Sequence, residues 1–250
     1  MSKGTSNHWA FTLTELMVVI AVVALLTIML LHTQASTRAD AQRIQCVNNL
    51  KQVGLAFRLW AANHNDEFPM AVGTSDGGTK PASGPVVNGW ETFKVFLVMS
   101  NELITPKVVL CPVESERRAA TNFNPGMFPG GDFADNLRVS YFDGRDADQT
   151  RPRMLLAGDR NIYGPATSPT SNNGYGNSPS GYDASGRLVA MTTNGNSLNT
   201  VGWTDKLHAQ QGNVTMTDGS VQQFNTFYLR EALSETGDEG GAAANTILFP

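Results

Sequence analysis

Two cysteines in 250 residues, no cluster of basic residues, and no glycine or proline anywhere between Phe11 and Val53 are what this sequence lacks first. Two cysteines cannot make a zinc site alone. The net charge is −4, the pI is near 5.5, and Lys and Arg are scattered. A nucleic-acid groove needs gathered basic charge to neutralise phosphates, so that partner has no support. No G-x-S-x-G or comparable elbow occurs, so the strained turn that presents a serine nucleophile is missing. No internal repeat is visible. The missing helix breakers have the opposite effect, because they permit one long helix.

What is there begins with "FTLTELMVVIAVVALLTIMLL". From Leu16 to Leu31 the run is interrupted only by Thr27, yet an acidic residue, Glu15, stands at its head. Taken back to Phe11 the run covers about 21 residues, which predicts a membrane-crossing helix over 11–31. Beyond it, Cys46, Leu50, Val53, Phe57 and Trp60 recur at four, three, four and three. That spacing predicts an amphipathic continuation over 32–62 with one buried stripe. Together the halves predict a rod of about 50 residues, roughly 75 Å long. Residues 63–250 are long enough for one globular domain with its own core.

"AFTLTELMVVIAVVALL" resembles the leader and first helical turns of type IV pilins and type II secretion pseudopilins. The resemblance implies a leader over 1–10, cleavage by a prepilin peptidase between Ala10 and Phe11, N-methylation of Phe11, and an assembly role for Glu15. In such assemblies the carboxylate meets the amino terminus of a neighbouring subunit, which explains an acid that would otherwise be costly in hydrocarbon. Further stretches, "RIQCVNNLKQVGLAFRLWAANHNDEFP", "KVVLCP", "LHAQQGNVTMTDGSVQQF" and "ILFP", look like pseudopilin-like proteins of planctomycete and verrucomicrobial lineages. Their recurrent mark of His, nine residues, Asp and Gly falls on His208, Asp218 and Gly219.

Local patterns give the rest. "ETFKVFLVMSNEL" predicts a short helix; Lys107 to Cys111, Leu137 to Phe142 and Met154 to Gly158 predict strands. Gly164 to Gly186 is compositionally a loop. Around Asp218-Gly219 the alternating residues predict a hairpin with a two-residue turn; "FNTFYLREAL" predicts a helix and "TILFP" an edge strand. The expected fold is α+β: the long N-terminal helix, membrane half and amphipathic half, packed on a small antiparallel sheet with long loops, as in pilins.

Cys46 on the helix stripe and Cys111 at the end of an apolar strand point into one helix-to-sheet interface. Two readings stay open: a structural disulfide worth about 4 kcal/mol, or two buried thiols. His208, with Asp159, Asp205 and serines as potential partners, is read as a packed histidine bonding the hairpin backbone, and Asp218 as a turn residue. Asp143, Asp146 and Asp148 offer oxygen atoms for calcium but lack EF-hand spacing, so a solvated turn is expected and no metal or cofactor is assigned.

The resulting expectation is a non-enzymatic pilin-like subunit, anchored by a single pass in the inner membrane with its C-terminal domain in the periplasm or an extracellular filament. Its partners would be other pilin-like subunits, the prepilin peptidase, an inner-membrane assembly platform and the membrane. The alternative is a membrane-anchored envelope enzyme or glycan-binding protein using a pilin-like leader.

Overall fold

The computed structural model describes residues 12–80, 92–126, 132–164, 187–191, 198–237 and 245–250, with the backbone alone at 30–37, 187 and 188. The leader over 1–10, Phe11 and all of the polar loop beyond Gly164 as far as 186 lie outside that set. The chain divides into two compact units, Met1–Gln42 and Arg43–Pro250.

The first helix, α1, spans Leu13–Ala62 and contributes to both units. In its first part the described side chains of the apolar run lie within Leu13–Met29, and the next described ones, from Arg38 to Asp40, include two charges. Thr14, Glu15 and Thr27 are polar within that run. No helix among the described residues is long and apolar enough to cross a membrane. The fold expected above, with a membrane half in its first helix, is corrected on this point. The single-pass inner-membrane location fails with it.

Within the second unit the helical stripe lies where its spacing put it: Cys46, Leu50, Val53, Phe57 and Trp60 are all buried. Phe57 meets Phe68 and Phe96 edge-on, with ring centroids 5.8 and 6.2 Å apart. The helix comes close to strand β6 (Gln211–Met216), where Thr215 Oγ1 donates to the Leu50 carbonyl at 3.0 Å. Gly54 makes that approach possible, since a Cβ there would lie 2.6 Å from Thr215 Cγ2. Gly54→Ala gains up to about 1 kcal/mol of helix propensity but overpacks a buried contact, which costs about 1–3 kcal/mol. Net destabilisation is expected in urea denaturation, and Thr215→Ser, by removing the obstructing methyl, should reverse its sign. An equal loss in both backgrounds would show that this contact is not what Gly54 relieves.

The sheet has six strands in the order β4-β8-β1-β2-β6-β7, every pair antiparallel. They are β1 (Tyr141–Gly144), β2 (Leu155–Asp159), β4 (Arg187–Ala190), β6, β7 (Val221–Asn225) and β8 (Thr246–Phe249). A separate pair joins β3 (Ile162–Tyr163) to β5 (Gly202–Trp203). Side chains alternate across a strand, so Tyr141 enters the core beside α1 while Phe142 enters a second core with Trp203 and Phe249. Helix α4 (Thr226–Ser234) adds Leu229 and Leu233 to that second core. β1 and β2 are buried at every position, so their burial does not alternate.

Several local expectations change. "ETFKVFLVMSNEL" forms two helices, α2 (Thr92–Val98) and α3 (Ser100–Leu103). Residues 107–111 begin in a 3-10 turn, Pro106–Val109, instead of a strand. Pro106 sets the first φ and the Thr105 hydroxyl accepts the Lys107 N–H, so local capping overrides β propensity. Asp135 likewise caps a 3-10 turn at Asn136–Arg138 by accepting from Leu137 N at 2.9 Å, which delays the strand to Tyr141. "TILF" is an interior strand, because β4 covers the side of β8 away from β1. The predicted hairpin forms, but its turn has three residues: Met216 N donates to Ser220 O and Gly219 takes φ +86°. This is the longer loop in which a left-handed glycine forms a bulge.

Candidate functional site

Two places gather the residues singled out in the sequence. At the start of α1, Thr12 and Glu15 form a reciprocal cap. Glu15 Oε2 accepts from Thr12 N at 2.9 Å and from the Thr12 hydroxyl at 2.8 Å, and Glu15 N donates to that hydroxyl oxygen at 3.3 Å. T-x-x-E is the capping-box signature, legible in the sequence and passed over there in favour of the acid's apolar setting. Thr12's N–H and hydroxyl hold the Glu15 carboxyl below its ordinary range. Past the cap, Leu16, Met17, Val18, Ile20, Val23 and Leu26 are each more than half exposed and cover every side of the helix. Ala10 and Phe11 lie outside the described residues.

The second place is buried and lies in the Arg43–Pro250 unit. Cys46 reaches it from α1 and Cys111 from the segment after the 3-10 turn, where its N–H donates to Ser140 Oγ. Asp159 ends β2, and His208 stands in the loop before β6. Cys46 Sγ donates to Asp159 Oδ1 at 3.4 Å; Cys111 Sγ lies 3.3 Å from His208 Nε2; His208 Nε2 lies 3.4 Å from Asp159 Oδ2. One ligand atom from each residue falls within 4.8 Å of all the others. Both thiols are free and buried, so the bridge that the sequence left open is not formed here. Asn213 donates to Asp159 Oδ2 from its backbone N at 2.7 Å and from Nδ2 at 2.9 Å, and the Tyr141 hydroxyl lies 3.4 Å from Cys46 Sγ.

The loop that carries His208 is unusual. Leu207, Ala209 and Gln210 all take positive φ, at 63°, 51° and 60°. Non-glycine residues hold such conformations only where their surroundings require it, at about 1–3 kcal/mol each. His208 therefore does not bond the hairpin backbone through its ring, as expected, but faces Cys111 and Asp159. Both partners meet the same nitrogen, Nε2, whereas a catalytic triad divides base and orienting acid between the two ring nitrogens.

Burial decides the direction at Cys46 and Asp159 and is outweighed at Cys111 and His208. It pushes the Cys46 thiol well up, reinforced by the Cys111 bond and the Asp159 charge, and it raises the Asp159 carboxyl against the opposing pull of His208 and Asn213. The bond from Cys46 draws the Cys111 thiol down despite burial. Burial alone would lower His208, but Cys111 and Asp159 together hold it above its ordinary value.

The other half of the His208 motif lies elsewhere. Asp218 Oδ1 accepts Ser220 N at 2.7 Å in the hairpin turn, and the Asp218 carbonyl accepts Arg58 Nη1 at 3.1 Å. The acids proposed for calcium are not gathered either. Asp143 is buried on β1, Asp146 accepts Thr246 N at 2.8 Å, and Asp148 accepts Thr150 N at 2.7 Å. Among the described residues, Cys46, Cys111, Asp159 and His208 are the group suited to hold a metal ion. Asp159 entered the sequence reading only as a partner for His208, because no local spacing marks it.

No protein-family model matches this chain, and no curated protein or solved structure matches it.

Proposed function

We propose that the chain is a structural subunit of a pilin-like filament, a secretion pseudopilus or a type IV pilus-like fibre, which joins other pilin-like subunits through the apolar stretch of α1. The observation that carries this reading is the exposure of Leu13–Met29 on every side. A helix that is apolar all round is a buried helix, and exposed apolar surface of this extent marks an interaction site. Equivalent stretches of neighbouring subunits, side by side, would cover it. The prepilin-type motif supports the same reading: a prepilin peptidase would cut between Ala10 and Phe11, Phe11 would be methylated, and an assembly platform would receive the product. In the assembled state the Glu15 carboxylate meets the amino terminus of the next subunit.

The cap at Thr12 makes a sharper test possible than removing the side chain. Glutamine serves a capping box as well as glutamate, so Glu15→Gln keeps the helix start and deletes the charge. With a photo-crosslinker at Val22, the wild-type chain should yield adducts to pilin-like subunits in cells. The Glu15→Gln protein, present at equal level, should lose most of them. Equal crosslinking would reduce Glu15 to a helix cap, and wild-type adducts to no pilin-like chain would remove the assembly reading.

A further inference from the structure

The geometry points to a closed, tetrahedral Zn²⁺ site made by Cys46 Sγ, Cys111 Sγ, Asp159 and His208 Nε2. With metal–sulfur arms of about 2.3 Å and metal–nitrogen or metal–oxygen arms of about 2.0–2.1 Å, ligand atoms at tetrahedral angles stand about 3.3–3.8 Å apart. The observed separations, 3.3 Å from Cys111 to His208, 3.4 Å from Cys46 to Asp159 Oδ1 and 3.4 Å from His208 to Asp159 Oδ2, are close to such edges, the two Asp159 contacts being made by different oxygens of its carboxylate, and one ligand atom from each residue lies within 4.8 Å of all the others. Four ligands are the full complement of a structural zinc site. Two thiolates with one imidazole and one carboxylate suit zinc and disfavour calcium or magnesium, which take oxygen.

The surroundings fit a metal as well as the ligands do. Zinc binding requires both thiols as thiolates, Asp159 as carboxylate and His208 Nε2 without its proton, and every proton so displaced leaves to solvent. Two thiolates and a carboxylate leave the dication with one negative charge to spare. The two Asn213 N–H donors on Asp159 and the Tyr141 hydroxyl beside Cys46 face that surplus. Such outer partners orient ligands and tune their affinity. The left-handed backbone at Leu207, Ala209 and Gln210 holds His208 in place. A disulfide would employ the two sulfurs and leave the inward-facing His208 and Asp159 without a purpose. Because all four residues are buried, the ion would have a structural role, tying α1, the 111 segment, β2 and the loop before β6 together. This inference concerns the Arg43–Pro250 unit and does not depend on the assembly reading.

The test uses the full chain, reduced, stripped with chelator while unfolded, and refolded with or without ZnCl₂. Elemental analysis should find one zinc per chain with ZnCl₂, together with a higher melting temperature and thiols protected from maleimide. Cys111→Ser and His208→Gln should each lower bound zinc at least about tenfold. As those variants could fail to fold, the wild-type chain refolded with Co²⁺ provides a second measurement: intense tetrahedral d–d bands and thiolate-to-cobalt charge transfer are expected. Less than one-tenth of a zinc per wild-type chain, a Cys46–Cys111 disulfide in protein isolated from its cells without reductant, or a cobalt spectrum lacking thiolate charge transfer would each overturn the site.

Discussion

Arg160→Met should cost the folded domain about 3–5 kcal/mol, because it strands an acid in the interior. Arg160 and Glu114 are both almost wholly inaccessible at their side chains, 1% each. Arg160 Nε donates to Glu114 Oε2 at 2.8 Å and Nη2 to Oε1 at 3.1 Å, while Nη2 also reaches Glu116 Oε2 at 3.3 Å. This two-pronged geometry suits a guanidinium and not an ammonium, so Arg160→Lys should fall between wild type and Arg160→Met. Burial would raise the Glu114 carboxyl, but Arg160 outweighs it and holds the group below its ordinary range. A depressed carboxyl contributes stability above its unfolded pKa and loses it as pH falls through the folded value, so the pair's support should fade only in acid. At neutral pH the melting temperature of Arg160→Met should drop by about 10 °C. Adding Glu114→Leu should restore most of the loss, since a buried pair replaced whole by apolar residues is nearly neutral. A single-variant loss below about 1 kcal/mol would show that Glu114 finds water or another cation.

Asp143→Asn should have the opposite sign and the opposite pH dependence. Asp143 is fully buried on β1, and neither carboxylate oxygen has a hydrogen-bond partner among the described residues. Burial pushes its pKa up to about 7, against a smaller opposing pull from Arg145. A carboxyl raised on folding contributes stability that is complete below its unfolded pKa, near 3.8, and is lost as pH rises through about 7. Wild type should therefore weaken between pH 4 and 8, by up to about 4 kcal/mol from this group alone at about 1.4 kcal/mol per pKa unit. The Asp143→Asn protein should lack that contribution and be the more stable of the two at pH 8. Urea midpoints of both proteins at pH 5 and pH 8 isolate the effect, because every other titrating group cancels in the difference. Parallel pH profiles would mean that the Asp143 carboxylate is ionised and satisfied in the folded state.

The buried half of α1 was legible because one strong signal, apolar spacing of four and three, had no competitor. The strands at 107–111 and 137–140 were misread because β propensity was weighed without the caps at Thr105 and Asp135. The interior place of β8 depends on pairing with β4 and β1, across about 60 and 100 residues, which a local pattern does not carry. Cys46 and Cys111 could be directed to one interface by their faces. Asp159 could not be added to them, since β2 is buried on both sides and has no alternation from which to read where a side chain points. The His-x9-Asp-Gly motif does not form one site, because its gap is one strand, and Asp218 is the turn residue it was read as. Six residues of β6, about 20 Å at 3.3 Å each, separate the loop of His208 from the turn of Asp218, so the two halves serve opposite ends of one strand.

The cap at the head of α1 also bears on the order of events in the life of this chain. All of its atoms belong to Thr12 and Glu15, so cutting the Ala10–Phe11 bond leaves it whole. The helix start would therefore be unchanged by the proposed cleavage. Only Oε2 of the Glu15 carboxylate is engaged by Thr12; among the described residues the second oxygen has no hydrogen bond, and under the proposed function it would be the one to receive an arriving amine. Docking of a neighbour would then add one ionic contact to a helix that is already folded, with no unwinding step before subunits can join.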